Sequence, residues 1–432
     1  MQTPRATAHF HTFGCKLNFA ETATIAGMLA EKGVAAAKAG EAPDLVVVNT
    51  CSVTALADKK CRQTIRSFAR KWPAASIVVT GCYAQLQPEE AAELPGVVIV
   101  AGIDRKLKIA DYIDRWLGDR ERRMEITPAK DIRSFAPVCS RGDRTRYFLK
   151  MQDGCDYFCT YCTIPMARGR SRSASVADTV AEARRAADEG AREIVLTGVN
   201  IGDFGKGTDE TFLDLIRELD AIESVARYRI SSIEPNLLSD EIIDFVARSR
   251  AFMPHFHIPL QCGDDEVLAL MHRHYDTALF RHRIERIKQL IPHAFIGIDL
   301  IAGSRGETPE RFERSLAFVS SLPVSRVHVF PYSERPGTRA LSITPAVSQE
   351  EKHERVARFM ELSDSKLRAF AQSFEGTVRP VLVEHSAKKG MMHGFTDNYL
   401  KVSVPADPRL ANTIVPVRLG AFDGEEMKGE LI

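Results

Sequence analysis

The chain has 432 residues, 44% hydrophobic and 27% charged, which allows two to four domains of an ordinary soluble globular enzyme. It holds no run of 18 or more apolar residues, and its start, MQTPRATAHF, has no apolar signal core; a chain that neither spans a membrane nor is secreted, and so a cytoplasmic one, is expected. A formal charge of +1 excludes a global positive field for nucleic acid, so RNA binding must rest on local patches, and nine cysteines in a reducing compartment point to metal or to buried apolar positions rather than to disulfides.

Three apolar runs, 8–13, 45–48 and 77–79, read as buried strands, and helical patterns such as 21–31 and 57–71 follow them. This predicts a βαβ series with a parallel sheet over residues 1–118. Cys15 (HTFGCKLN), Cys51 (VVVNTCSVT) and Cys82 (VVTGCYAQ) each stand just past the carboxyl end of a strand. In an open parallel sheet those ends share one edge, where ligands bind, so three βα loops bring three thiolates to one point. An iron–sulfur cluster with one open iron is expected there; the plainer alternative is that each cysteine is a small buried hydrophobe. Cys61 inside a helix, Cys139 in a linker and Cys262 after a strand fit the plainer role.

Residues 119–146 lose the pattern and read as a polar linker. Between 132 and 150, Arg133, Arg141, Arg144, Arg146 and Lys150 stand against Asp143 alone, and Arg168, Arg170 and Arg172 follow. This is either a phosphate-binding patch or a solvated arginine-rich linker. Between them lies MQDGCDYFCTYCTIPMARGRSR, residues 151–172, with Cys155, Cys159 and Cys162 in the spacing C-x3-C-x2-C. Three thiols on one short loop can each bind one iron of a four-iron, four-sulfur cube and leave the fourth iron open for chemistry. A zinc knuckle would need a fourth Cys or His close by, and Thr163, Ile164, Pro165 and Met166 supply none.

Over 147–374, strand patterns at 147–151, 193–197, 227–232, 256–260, 295–301 and 326–330 alternate with amphipathic helices. Six βα units predict a partial parallel barrel, whose carboxyl-end loops surround one pocket. His255, His257, His272 and His274 are expected to be structural. A charged helix over 348–374 closes this part. Short β runs at 378–384, 390–395, 400–404 and 413–419 then predict a small β-barrel over 375–432.

The cysteine loop, with Tyr161 before its last cysteine, resembles the signature of the radical S-adenosylmethionine (SAM) superfamily. With TFGCKLN, NTCSVT and GCYAQ before it, the whole chain resembles the radical SAM methylthiotransferases. NTCSVTALADKKCRQTIR is most similar to the branch acting on N6-threonylcarbamoyladenosine in tRNA. The resemblance implies two 4Fe-4S clusters, one on Cys155, Cys159 and Cys162 and an auxiliary one on Cys15, Cys51 and Cys82. It implies two SAM molecules per turnover, one to methylate a sulfur and one to give a 5′-deoxyadenosyl radical, and a sulfur donor. A methylthio group would go to carbon 2 of N6-threonylcarbamoyladenosine at tRNA position 37. Alternatives are methylthiolation of isopentenyladenosine or of a ribosomal-protein aspartate, or a non-catalytic iron–sulfur RNA-binding protein. Gly198 and Asn200 match the place that binds the amino end of SAM, and Glu234 and Gln261 lie near the SAM or substrate pocket by the same resemblance. Gly303, Gly306 and Glu307 match an adenine-side loop, here SRGET where the family usually shows FPGET. The C-terminal piece resembles a TRAM domain, an OB-like RNA-binding module. Arg144, Arg146, Arg168, Arg172 and Lys401 are the expected RNA contacts. The expected partners are a tRNA anticodon stem-loop and a flavodoxin or ferredoxin-type electron donor, with no membrane and no DNA.

Overall fold

The structure, a computed structural model, describes residues 4–140, 145–388 and 390–432. Its first part is a parallel sheet of β1 (Ala6–Thr12), β2 (Val34–Ala36), β3 (Leu45–Thr50), β4 (Ser76–Gly81), β5 (Val97–Ala101) and β6 (Arg123–Glu125), in the order β2-β1-β3-β4-β5-β6. The runs LVVVNT and VVIVA are buried throughout, as strands covered on both faces must be. Val47 and Val78 pack on one side with Ile25 and Ile113, while Val46, Val48, Ile77 and Val79 pack on the other with Cys61 and Ile65. The order reverses between β1 and β3, the point at which open sheets of this kind bind ligands. The edge strands β2 and β6 are three residues each, too short for a periodic signal, and β6 falls in the stretch expected to be an irregular linker.

A second strand from that stretch, β7 (Val138–Cys139), pairs antiparallel with β8 (Arg146–Lys150). β8, β11 (Glu193–Thr197) and β12 (Arg227–Ile230) form one parallel wall of a partial barrel; β13 (His255–Gln261), β14 (Phe295–Ala302) and β15 (Arg326–Pro331) form the other. Single bridges Tyr228↔Phe252 and Ser232↔His257 join the walls. The short pair β9 (Gln152–Asp153) and β10 (Arg172–Ser173) clasps the cysteine loop at its base. Alternation along β8 and β11 sends Tyr147, Leu149, Ile194 and Leu196 outward into the main core, and Phe148 and Val195 inward. Those two inner residues meet Phe19 and Ala20, so the helix α1 (Lys16–Glu31) of the first sheet seats on the inner face of the barrel wall.

The helix Gln349–Gln372 begins with a capping box between Ser348 and Glu351. A closed barrel follows, β16 (Val378–Lys388), β17 (Met391–Thr396), β18 (Lys401–Pro405), β19 (Ile414–Phe422) and β20 (Met427–Leu431), ordered β16-β17-β18-β20-β19. The fifth strand, MKGEL, has two charged residues among its five and forms no apolar run. Arg227 donates to the carbonyls of Phe395 and Pro380, and Arg229 to those of Asp397 and Thr396, at 2.8–3.0 Å. Arg229 also pairs with buried Glu193 at 2.9 Å, so this barrel docks on the amino ends of β11 and β12 through satisfied buried arginines.

Candidate active site

Cys155, Cys159 and Cys162 lie in the loop between β9 and the short helix Ile164–Arg168. Gly154 opens it with φ +72°, and a Cβ there would stand 2.0 Å from the Arg170 carbonyl oxygen, so only glycine fits. Each sulfur accepts a donor: Tyr157 N–H reaches Cys155 Sγ at 3.5 Å, Arg273 Nη1 reaches Cys159 Sγ at 3.1 Å, and Ile164 N–H reaches Cys162 Sγ at 3.4 Å. Donors aimed at sulfur stabilise thiolate ligands and tune a cluster. Burial pushes the thiols of Cys155 and Cys162 up to about 12, so without metal they hold their protons.

The second group is assembled from the sheet. Cys15 is the N-cap of α1, Cys51 directly follows β3, and Cys82 directly follows β4 as the first residue of a short helix. Thr50 and Gly81 are register partners, which sets Cys51 beside Cys82. A Cβ on Gly14, φ +90°, would stand 2.9 Å from Cys51 Sγ, so the loop of Cys15 closes directly on Cys51. Burial, with Cys82 and Cys15 adding, pushes the Cys51 thiol up to about 11. Among the described residues no three His, Cys, Asp or Glu side chains close on a single ion. Cys61, by contrast, is buried with Sγ on the Cys51 carbonyl, and Cys139 and Cys262 are buried in the main core.

A buried charge network ties the two groups together. Glu21 on α1 pairs with Lys106, with Lys150 at 2.7 Å and with Arg168 at 3.4 Å. Asp153 pairs with Lys150 at 2.7 Å and Arg168 at 3.0 Å, and Arg168 Nη2 donates to Asn18 at 2.9 Å. Burial alone would raise Glu21 and Asp153, but the surrounding cations outweigh it and hold both well below the usual carboxylate range. Cys82 and Cys15 also act on Arg168, which sets this cation beside the strand-end group.

Of the expected SAM contacts, Asn200 is buried with neither side-chain polar atom partnered, a pair of orphaned groups that a polar ligand would satisfy. Gln152 Oε1 accepts from the backbone of Val199 and Asn200 and so fixes that loop; a Cβ on Gly198 would crowd it at 3.0 Å. Glu234 forms an ion pair with Arg273, and burial pushes its carboxyl up to about 7 against the pull of that guanidinium. Gln261 holds φ +65° and lines a cavity of about 270 Å3. Glu307 is buried, with Oε2 on Gly303 N–H at 2.7 Å and on Arg355 at 2.9 Å, so it fastens its loop to the helix Gln349–Gln372. Gly303 and Gly306 pack against Lys352 and Leu270.

Four of the cations expected to meet RNA have partners within the chain. Arg168 is 1% exposed and committed to the network above. Arg172 donates to the carbonyls of Ser134, Arg168 and Arg170, pinning the cysteine loop. Arg146 lies over the Phe395 ring at 4.3 Å and pairs with Glu384 at 3.1 Å, and Lys401 pairs with Glu425 and Glu426. Arg144 lies outside the described residues. Carboxylates and carbonyls distant in sequence claim these cations, which no local count of charge reveals. Arg273 and Gln152 went unnoticed in the sequence, since neither belongs to a spaced motif.

The 270 Å3 cavity sits between the two groups. Val53 and Thr54, just past Cys51, form one side; Tyr161, beside Cys162, and Gln261 and Asp299 form the other. Thr163 Oγ1 donates to the Ser52 carbonyl at 3.4 Å, and Arg335 holds Ser52 and Asp58 at 2.9 and 2.7 Å, closing the seam. Val53, Leu56 and Phe330 are exposed around this region.

A partial parallel barrel with a C-x3-C-x2-C loop at its carboxyl-end rim defines a radical SAM enzyme, the class that works with an iron–sulfur cluster and SAM. Residues 149–319 match the Radical SAM superfamily, and residues 7–102 match the Uncharacterized protein family UPF0004. The chain belongs to the radical SAM methylthiotransferase family, in its MtaB branch. It is 39% identical over 425 residues to threonylcarbamoyladenosine tRNA methylthiotransferase MtaB of Bacillus subtilis, covering 96% of this chain and 94% of that one. It is 33% identical to the protein of the same name from Aquifex aeolicus, covering 91% and 95%. It is 32% identical to tRNA-2-methylthio-N(6)-dimethylallyladenosine synthase of Syntrophotalea carbinolica, covering 95% and 96%. Among solved structures, the radical S-adenosylmethionine methyltransferase TsrM of Kitasatospora setae shares the fold at 16% identity, with a TM-score of 0.56 over 77% of this chain and 76% of that one. No helix among the described residues is long and apolar enough to cross a membrane.

Proposed function

We propose that this protein is a cytoplasmic tRNA methylthiotransferase that places a methylthio group on carbon 2 of N6-threonylcarbamoyladenosine at position 37 of the anticodon loop. The observation that carries the reading is the cavity walled by Val53 and Thr54, just past Cys51, and by Tyr161, next to Cys162. Cys155, Cys159 and Cys162 would hold the radical cluster, and Cys15, Cys51 and Cys82 the auxiliary one. When bound, these groups with two SAM molecules per turnover supply a hydrogen-abstracting radical and a methylated sulfur; a sulfur donor and a flavodoxin or ferredoxin-type reductant complete the requirement. Residues of the chain do the positioning. Asn200 and the backbone that Gln152 holds face the SAM side, and Arg273 supports Cys159 and Glu234 at once. Exposed Val53, Leu56 and Phe330 suit an unstacked base entering from a single-stranded loop, since such bases are held by apolar and aromatic surfaces.

The stronger likeness to the threonylcarbamoyladenosine enzymes, 39% against 32% for the dimethylallyladenosine synthase, favours the first substrate over the second. The test is an anaerobically reconstituted protein given SAM, a reductant and anticodon stem-loops carrying either modified adenosine. Nucleoside mass spectrometry should show the methylthio product from the threonylcarbamoyl substrate. Conversion of the isopentenyl substrate alone would overturn the assignment.

A further inference from the structure

Beneath the reaction cavity lies a second, larger space of about 490 Å3, lined by residues of β13, β14 and β15 and of the C-terminal barrel. The two spaces share a wall: Asp299, which lines the upper one, meets His257 Nε2 of the lower one at 2.8 Å. The same strands run through both, and His257, Gly297 and Arg326 form one register row across β13, β14 and β15. Asp299 stands two residues above Gly297, a step of about 7 Å along a strand.

Two cations of the chamber have no ion pair among the described residues, although the carboxylate of Glu425 also lines it. Among the described residues, neither Lys16 nor Arg326, both of which line it, has an ion-pair partner, whereas Lys401 at its rim is balanced by Glu425 and Glu426. His255 is 6% exposed, and its Nδ1 has no hydrogen-bond partner. Its ring stands against Phe295 and Tyr399, at 5.8 and 4.1 Å between centroids. Two unpaired cations, an idle imidazole nitrogen and aromatic walls make a receptor for a small organic oxyanion rather than for an apolar group.

We propose that this chamber receives the N6 substituent of the reacting adenosine, with Lys16 and Arg326 gripping its carboxylate. The inference rests on the substrate proposed above and names the residues that select it. A urea-linked amino acid carries its carboxylate about 6 Å from the exocyclic N6, by ordinary backbone dimensions, close to the two-residue step from Asp299 to Gly297. A backbone phosphate would bring the same charge, and Arg326 is exposed enough to meet one, so the plain-adenosine RNA in the experiment separates the two sources. The arrangement also discriminates: an isopentenyl group would desolvate the two cations and leave them unpaired, the costliest kind of mismatch.

The experiment measures dissociation constants of iron-reconstituted protein for stem-loops with threonylcarbamoyladenosine and with plain adenosine, for the wild type, Lys16→Met and Arg326→Gln. Each variant should weaken binding of the modified RNA by about tenfold or more, the loss typical of a charged hydrogen bond, and leave the plain RNA unchanged. Equal losses on both RNAs would make the chamber a phosphate site, and unchanged binding of both would make it no site; either overturns the proposal. Because Lys16 adjoins Cys15, Arg326→Gln decides if Lys16→Met loses iron. Methylthiolation of the same RNA by the wild type is measured in parallel. Its absence would overturn the substrate reading and this inference with it. Product formation without a selective binding loss in Arg326→Gln would overturn this inference alone.

Discussion

The two cysteine groups are assembled by opposite means. Cys155, Cys159 and Cys162 belong to a single loop clasped by β9 and β10, with donors to sulfur from Tyr157 and Ile164 nearby in the chain. Cys15, Cys51 and Cys82 come from three strand ends, brought together only when β1, β3 and β4 are in register. A local site tolerates change elsewhere, while an assembled one inherits every defect of its sheet. The auxiliary group should therefore be the first to fail when the fold is disturbed.

The sharpest break is to remove each group. Replacing Cys15, Cys51 and Cys82 by Ala should lower iron from about eight to about four per chain and abolish methylthiolation while SAM cleavage by the reduced protein survives. Replacing Cys155, Cys159 and Cys162 should leave the same four irons and no SAM cleavage. Iron and sulfide assays with product chromatography read both outcomes, and loss of all iron in either protein would show that the groups are not independent. Next comes the link between them. Arg168→Met takes a shared cation from buried Glu21 and Asp153, which keep Lys150, and about 3 kcal/mol of stability should disappear in urea titrations of the metal-free protein. Gly81→Ala sharpens the comparison: with φ +100° and a Cβ 2.3 Å from the Thr50 carbonyl, it should cost about 1–3 kcal/mol and release the auxiliary irons first.

A pH effect follows from the same network. Glu21 and Asp153 are depressed in the folded chain from reference values of 4.5 and 3.8, so their contribution is complete above those values and is lost as pH falls below them. Urea midpoints of the metal-free protein should decline below about pH 4.5, and Glu21→Gln should flatten that decline. The smallest effect is expected at Lys401→Ala, whose partly exposed pairs with Glu425 and Glu426 should be worth no more than about 1 kcal/mol.

How much of this was legible depended on distance along the chain. The loop of Cys155 and the strand ends bearing Cys15, Cys51 and Cys82 announced themselves because spacing and apolar runs are local signals. The six barrel strands were readable for the same reason. The two- and three-residue strands β2, β6 and β7 were too short to be, and β20 was hidden by its charges. Arg168 and Arg172 looked like RNA contacts because a sequence displays charge without its partners, and Glu21 lies 147 residues from Arg168. Arg273 shows the same blindness from the other side: its sulfur and carboxylate partners lie 114 and 39 residues away.

The seating of α1 against Phe148 and Val195 also bears on how the chain is made. A ribosome delivers that helix early and its seat well over a hundred residues later; Glu21 waits 129 residues for Lys150. Until then the nascent first domain carries an uncovered patch around Phe19 and Ala20 beside a carboxylate short of its cations. Domains generally fold in the order of synthesis, and exposed apolar surface on a half-made chain invites aggregation. Completion of this N-terminal unit is thus timed by translation of the barrel, and a pause before residue 197 would prolong the interval in which a chaperone is needed.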